Sequence, residues 1–180
     1  MNFELVNKEN LNTAIKIQHN IFPLENGSQD LIESVYNNLP SYVSSKNYWL
    51  VKVDDKYVGI CGLYAYNNNP KDVWLGWFGV LSSQRGKGYA TQIFNFCMNE
   101  AKQLGFETLR LYTDEKDNAK AVKFYQKLDM ISEVYNNPQD THFEISQTLI
   151  FSKSLTNKPI TLWNNKNLFL SEHDKRNNII

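Results

Sequence analysis

The sequence predicts a mixed α/β domain, and three observations carry that expectation. Two strand-like runs, residues 48–53 and 57–66, flank Asp54-Asp55-Lys56 as the arms of a β-hairpin would. A strongly apolar run at 73–81 leads through Arg85-Gly86-Lys87-Gly88 into an amphipathic helix. Strand and helix patterns then alternate once more before two closing strands, a mixture that suits neither an all-helical nor an all-strand architecture.

Taken in order, residues 1–6 read as a short first strand. Leu11, Ile15, Ile17 and Ile21 fit a helix that stops before Pro23. Leu31, Ile32, Val35 and Leu39 give a second helix over 28–38, with Ser28 or Asp30 as its cap. After the hairpin, Asn67-Asn68-Asn69-Pro70 breaks the pattern as a loop. The run 73–81 is apolar on both faces, as in a covered strand, and Gly76 and Gly79 inside it predict a bulge near Gly79 or a close backbone approach. Ala90, Ile93, Phe94, Cys97, Ala101 and Leu104 recur at three- and four-residue steps, and Gly105 ends that helix. Residues 108–113 are a strand. Asn118 caps a helix whose inner face is Ala121, Phe124, Tyr125 and Leu128. Residues 131–135 and 148–154 close the sheet on either side of a loop that begins Asn136-Asn137. Residues 1–155 form the domain. Residues 156–180 are a C-terminal extension: a packed arm carrying Trp163, then a polar tail frayed from about Ser171.

Composition narrows the function classes. The 180 residues suit one core, and 19 Lys plus Arg balance 19 Asp plus Glu, which argues against nucleic acid as the partner. No run is apolar for long enough to span a bilayer, and Met1-Asn2-Phe3-Glu4 does not start a secretory leader. Cys61 and Cys97 are far apart and lie in apolar runs, so they read as small core residues in a reducing cytoplasm. His19, His142 and His173 are isolated, so no metal site is expected.

The order of elements and two motifs together resemble the Gcn5-related N-acetyltransferase (GNAT) superfamily. The first motif has the form Arg/Gln-x-x-Gly-x-Gly/Ala and matches Arg85-Gly86-Lys87-Gly88-Tyr89-Ala90. The second, Asn-x-x-Ala-x-x-Phe-Tyr-x-Lys-x-Gly-Phe, matches Asn118, Ala121, Phe124, Tyr125 and Lys127, with Asp129 and Met130 in place of Gly-Phe. Asp tolerates the left-handed turn that Gly supplies there. The resemblance covers residues 1–155, most specifically 73–130. It implies a mostly antiparallel central sheet with splayed central strands and helices on both faces.

The resemblance implies acetyl-coenzyme A as cosubstrate and transfer of its acetyl group to a primary amine in a ternary complex. A glycine turn feeding a helix N-terminus aims several N–H groups at one point, where a diphosphate can sit, and Arg85 and Lys87 add charge. The family uses the strand before the turn to bond the pantetheine arm. That role falls to the backbones of Phe78 and Val80, and the Phe78 N–H would polarise the thioester carbonyl. Tyr125 matches the family's general acid, which protonates the departing thiolate. As a residue of the helix's inner face it would need no such role. Asn118 matches a residue that touches the pantetheine, and it also suits a plain helix cap. The cofactor set is therefore Phe78, Val80, Arg85, Gly86, Lys87, Gly88, Tyr89, Ala90, Asn118 and Tyr125.

Many relatives carry a glutamate base on the strand before the turn, but residues 74–80 contain no acid. Asp72, Glu25, Asp30 and His19 remain as groups that could act through water, but for each the reading as a solvated surface charge is favoured, and no base is named. Tyr64, Tyr66, Trp74 and Trp77 cluster on the central strands, and alternation would divide them between a core face and an acceptor face. The acceptor stays open, with a small-molecule amine favoured over a protein; a homodimer is also open. One rival is a non-catalytic acetyl-coenzyme A sensor or interaction module. A more remote rival is a dinucleotide-binding protein, which Thr91 at the third glycine position opposes.

Overall fold

The structure is a computed structural model and describes residues 1–116, 118–137, 140 and 148–177. His142 and the middle of the loop after Asn137 lie outside the described residues. The fold is mixed α/β, with seven strands that pair mostly antiparallel. The chain forms two compact units, Met1–Phe106 and a second from Glu107 onward.

The first unit holds β1 (Asn2–Leu5), α1 (Leu11–Ile21), α2 (Ser28–Tyr36), β2 (Val43–Val53), β3 (Lys56–Tyr66), β4 (Asp72–Val80) and α3 (Tyr89–Gln103). Its strands run in the order β1-β2-β3-β4, each antiparallel to its neighbour. Asp54 and Asp55 turn the hairpin with φ of 48° and 57°, in the left-handed region that Asp tolerates. Strand β2 starts at Val43, five residues before the expected Tyr48. Its early part, Ser44-Ser45-Lys46-Asn47, is polar and hides the alternation. Helices α1 and α2 cover one face of the sheet. Their core row is Ala14, Ile21 and Leu31, packed with Tyr48, Leu50 and Ile60. Gln18 is buried in the same row and donates to Glu25 O at 3.3 Å. Helix α3 covers the other face with Ile93, Phe94 and Cys97 buried.

One expected cap differs from what forms. Neither Ser28 nor Asp30 caps α2; the N-cap position is Gly27, and Asn26 Oδ1 accepts the Ser28 N–H at 3.1 Å. At the end of α3 the expectation holds. Gly105 has φ 86°, its N–H donates to Lys102 O at 3.0 Å, and Phe106 N–H donates to Ala101 O at 3.1 Å, the paired bonds of a Schellman stop.

The second unit holds β5 (Thr108–Asp114), α4 (Ala119–Lys127), β6 (Ile131–Tyr135), β7 (Thr148–Ser154) and α5 (Leu170–Asn177). Strand β7 pairs antiparallel with both β5 and β6. Asp129 ends α4 at φ 54°, in the left-handed turn expected of it. Its N–H and that of Met130 bond Gln126 O and Tyr125 O at 3.1 and 3.4 Å.

Residues after Leu155 are held more firmly than their composition predicts. Trp163 is fully buried, and its Nε1 donates to Lys166 O at 2.7 Å. Buried Arg110 reaches Ser152 Oγ at 2.7 Å and Thr161 O at 2.6 Å, with its guanidinium 5.6 Å from the Trp163 ring centre. The tail expected to fray from Ser171 is helical in α5. A residue distant in sequence caps that helix: Asp140 accepts from Leu170 N, Ser171 N and Ser171 Oγ at 3.1, 3.0 and 2.7 Å. Sequence proximity could not reveal this cap, which lies thirty residues upstream of Leu170.

Candidate functional site

The turn after β4 carries the strongest local signal. Gly86 and Gly88 have φ of 79° and 76°, where an L-residue with a side chain is strained by about 1–2 kcal/mol. A Cβ built on either meets nothing within 4 Å. Glycine is therefore needed here for backbone direction and open approach, not for packing. Gly88 is the N-cap of α3 and no side chain caps it. The first bond back to it is Gln92 N–H to Gly88 O at 3.4 Å, so the leading N–H groups of α3, at Tyr89 and Ala90, have no acceptor in the helix. An anion of diphosphate size suits that combination of donors, dipole and space.

The charged members of the motif behave differently from one another. Arg85 turns back so that its Nε donates to Val80 O at 3.0 Å. Lys87 is exposed and donates to Gln84 Oε1 at 2.8 Å. The Arg85 guanidinium therefore ties the turn to the end of β4, a structural use that the motif alone did not disclose.

Strand β4 contains the expected bulge, placed slightly earlier than Gly79. Gly62 stands opposite Gly76 and Ile60 opposite Gly79, so Trp77 and Phe78 together face the single residue Cys61. Trp77 has φ 41°, a value for which a bulky side chain is badly suited. The extra residue shifts the alternation. Trp74 and Gly76 share the α1/α2 face, and the bulge returns Trp77 to that same face, where it lies edge-on to Phe22 at 5.3 Å. Phe78 then turns to the α3 face and meets Phe94 edge-on at 6.3 Å. Tyr64 and Tyr66 contact Trp74 at 6.4 and 5.8 Å. The expected division of the four aromatics between two faces is thus incorrect: all four lie on the α1/α2 face, because alternation counted across 74–77 omitted the bulge. Past the bulge, Leu81 N–H donates to Val58 O at 2.9 Å while Gly59 stands opposite Val80. Ladder alternation then turns the Val80 N–H and C=O away from β3, the C=O being the one that Arg85 engages.

Beneath Trp77 lies a charged group that sequence reading missed. Lys46 Nζ sits 2.6 Å from both Asp30 Oδ1 and Glu33 Oε2, and all three side chains are buried. Asp30 Oδ2 accepts the Trp77 indole N–H at 2.9 Å. A signal for it exists: Asp30 and Glu33 are three apart on one helix, and Lys46 shares an inward row with Tyr48 and Leu50. The solvated reading of Asp30 is therefore wrong, and Asp72, only 9 % exposed, is not a solvated group either. Glu25 and His19 are exposed as expected.

Cys61, opposite the bulge, is fully buried, and burial together with a hydrogen bond to Cys97 pushes its thiol well above the ordinary range. Neither cysteine is a nucleophile in this setting. Among the described residues no cluster of His, Cys, Asp or Glu could hold a metal ion.

Tyr125 and Asn118 belong to the second unit, on α4. Tyr125 is 7 % exposed, with its ring 5.4 Å from Phe124 and 5.5 Å from Phe151. The buried row of α4 is Val122 and Tyr125, with Phe124 half-buried to one side, so Val122 belongs in the inner face where Ala121 was placed. Asn118 occupies the N-cap position and accepts the Val122 N–H on its carbonyl at 3.0 Å, but its exposed side chain makes no cap bond. The side-chain cap expected of Asn118 therefore does not form.

Comparisons with known proteins bear on the fold and the family. No curated protein matches the sequence. Several solved structures share the fold. A GNAT-family protein from Desulfovibrio desulfuricans superposes with a TM-score of 0.72 at 12% identity, over 86% of this chain and 99% of that one. The ribosomal-protein-S18-alanine N-acetyltransferase of Escherichia coli gives 0.66 at 13%, over 90% and 98%. A spermidine/spermine N-acetyltransferase of Vibrio cholerae gives 0.63 at 15%, over 86% and 92%. The profile of the Acetyltransferase (GNAT) family matches residues 15–130, which span both the glycine turn and the Tyr125 helix, and the chain belongs to that family.

Proposed function

We propose that this chain binds acetyl-coenzyme A at the Gly86–Gly88 turn and transfers the acetyl group to a primary amine by direct attack. The single observation that carries the reading is the turn itself: two glycines at positive φ, open space over both, and uncapped N–H groups at the start of α3. The backbones of Phe78 and Val80 are assigned to the pantetheine arm, together with Asn118. Arg85 holds the turn in shape, and Lys87 adds charge at its rim.

In this reading the amine nitrogen attacks the thioester carbonyl carbon, and the Phe78 N–H stabilises the negative charge that develops on the oxygen. The carbon–sulfur bond breaks, and the thiolate takes a proton from the Tyr125 phenol. The amine's proton leaves to solvent, and solvent returns a proton to the Tyr125 phenolate. Residues 74–80 of β4 carry no acid to receive the amine's proton, and Asp30 is committed to Lys46 and Trp77. Buried Cys61 and Cys97 argue against a covalent acyl-enzyme. The relatives include one protein acceptor and one polyamine acceptor, and a small-molecule amine remains the favoured class for this chain.

The test is thiol release from acetyl-coenzyme A over a panel of alkyl amines, polyamines and peptide N-termini. Turnover with at least one amine is expected. Tight cofactor binding without turnover on any amine would favour a sensor, and no binding at all would overturn the reading.

A further inference from the structure

We infer that the Trp77 indole and Asp30 are positioning residues: their hydrogen bond, braced by Lys46 and Glu33, fixes the direction of the Phe78 amide. The inference rests on the acetyl transfer proposed above and deepens it. The Phe78 N–H belongs to the peptide immediately after Trp77, so its aim is set by Trp77's backbone. That backbone sits at φ 41°, which a tryptophan leaves readily unless its surroundings prevent it. Three contacts prevent it. The indole N–H is bonded to Asp30 Oδ2 at 2.9 Å. The ring lies against Phe22. Gly27 passes so close that a Cβ there would stand 2.5 Å from Trp77 Cε2. Asp30 is itself immobile because Lys46 Nζ lies 2.6 Å from it and from Glu33, away from water.

A buried ion pair adds little net stability, since desolvation offsets most of its attraction. One that orients a second carboxylate oxygen toward a strained strand residue has a directional use instead. The bulge's extra residue puts the indole on the helix side. Asp30 then holds the indole, and the following amide is left pointing one way only.

Trp77→Phe keeps an aromatic ring against Phe22 and removes only the indole's second ring and N–H. The expected signature is a kcat lowered roughly ten-fold or more, with KM for acetyl-coenzyme A within about two-fold, because a small misplacement of a reacting-centre donor costs rate and not cofactor affinity. The backbone amide resonance of Phe78 should also move in ligand-free Gly27→Ala, which presses on the Trp77 ring and leaves Trp77 and Phe78 themselves unchanged. Gly27→Ala should give the same kinetic signature and serves if Trp77→Phe does not fold. An unmoved Phe78 resonance in folded Gly27→Ala, or a wild-type kcat in either folded variant, would overturn the inference. Failure of the proposed function would look different: the wild-type protein would release no thiol with any amine, whereas the resonance shift would still report the coupling.

Discussion

Gly88→Ala separates what the glycine turn does for the fold from what it does for the ligand. The new Cβ meets no atom within 4 Å, so there is no clash to relieve. The cost to the fold is the backbone term alone, about 1–2 kcal/mol for placing alanine at φ 76°. For a chain of this size that is a fall in Tm of roughly 2–8 °C. Binding should suffer more. A charge-assisted hydrogen bond is worth about 1.5–3 kcal/mol, so losing one by crowding or redirecting an amide weakens Kd roughly 10- to 100-fold. Gly105→Ala is the matched control. Its φ is 86°, its Cβ also meets nothing, and it ends the same helix that Gly88 begins. Melting curves of the ligand-free variants, with titration calorimetry of acetyl-coenzyme A, read both quantities. The two variants should lose similar stability, and only Gly88→Ala should lose affinity. Equal affinities in the two variants would refute the assignment of the turn to the diphosphate.

Four further outcomes are expected. Tyr125→Phe should keep its packing against Phe124 and Phe151 and lower kcat about 100-fold or more, with cofactor Kd changed less than two-fold by calorimetry. Arg110→Met should lose roughly 2–4 kcal/mol in urea unfolding, because Ser152 Oγ and Thr161 O lose their buried donor, and limited proteolysis should then cut after Leu155. Burial raises the Asp140 carboxyl, but bonds from Ser171, Tyr135 and the Ser171 and Leu170 N–H groups outweigh it and hold the carboxyl below its ordinary value. A depressed carboxyl stabilises the fold above its unfolded pKa of about 3.9 and stops doing so as pH falls through the lower folded value. Asp140→Asn should therefore flatten the loss of stability below about pH 4 in acid unfolding curves. Finally, Cys61 and Cys97 should resist thiol reagents at pH 8 until the protein is unfolded, and fast labelling of the native protein would contradict their burial.

By itself the sequence determined the order of strands and helices, the glycine turn and the α4 motif. Each of these depends on neighbours in the chain: hairpin turn chemistry at Asp54 and Asp55, apolar steps of three and four along α3, and φ values that Gly86, Gly88 and Asp129 can adopt. Tertiary structure alone decided the rest. The position of the bulge depends on how β3 opposes β4, so the face on which Trp77 falls could not be counted from β4 alone. The Lys46 group joins α2 to β2, and Asp140 caps a helix thirty residues away, so both are pairings of residues brought together only by folding. Polarity in such places is misleading when read locally. Lys46, Asp30 and Arg110 look like surface residues along the chain, and they are buried because each finds an acceptor or a counter-charge that the linear order does not show.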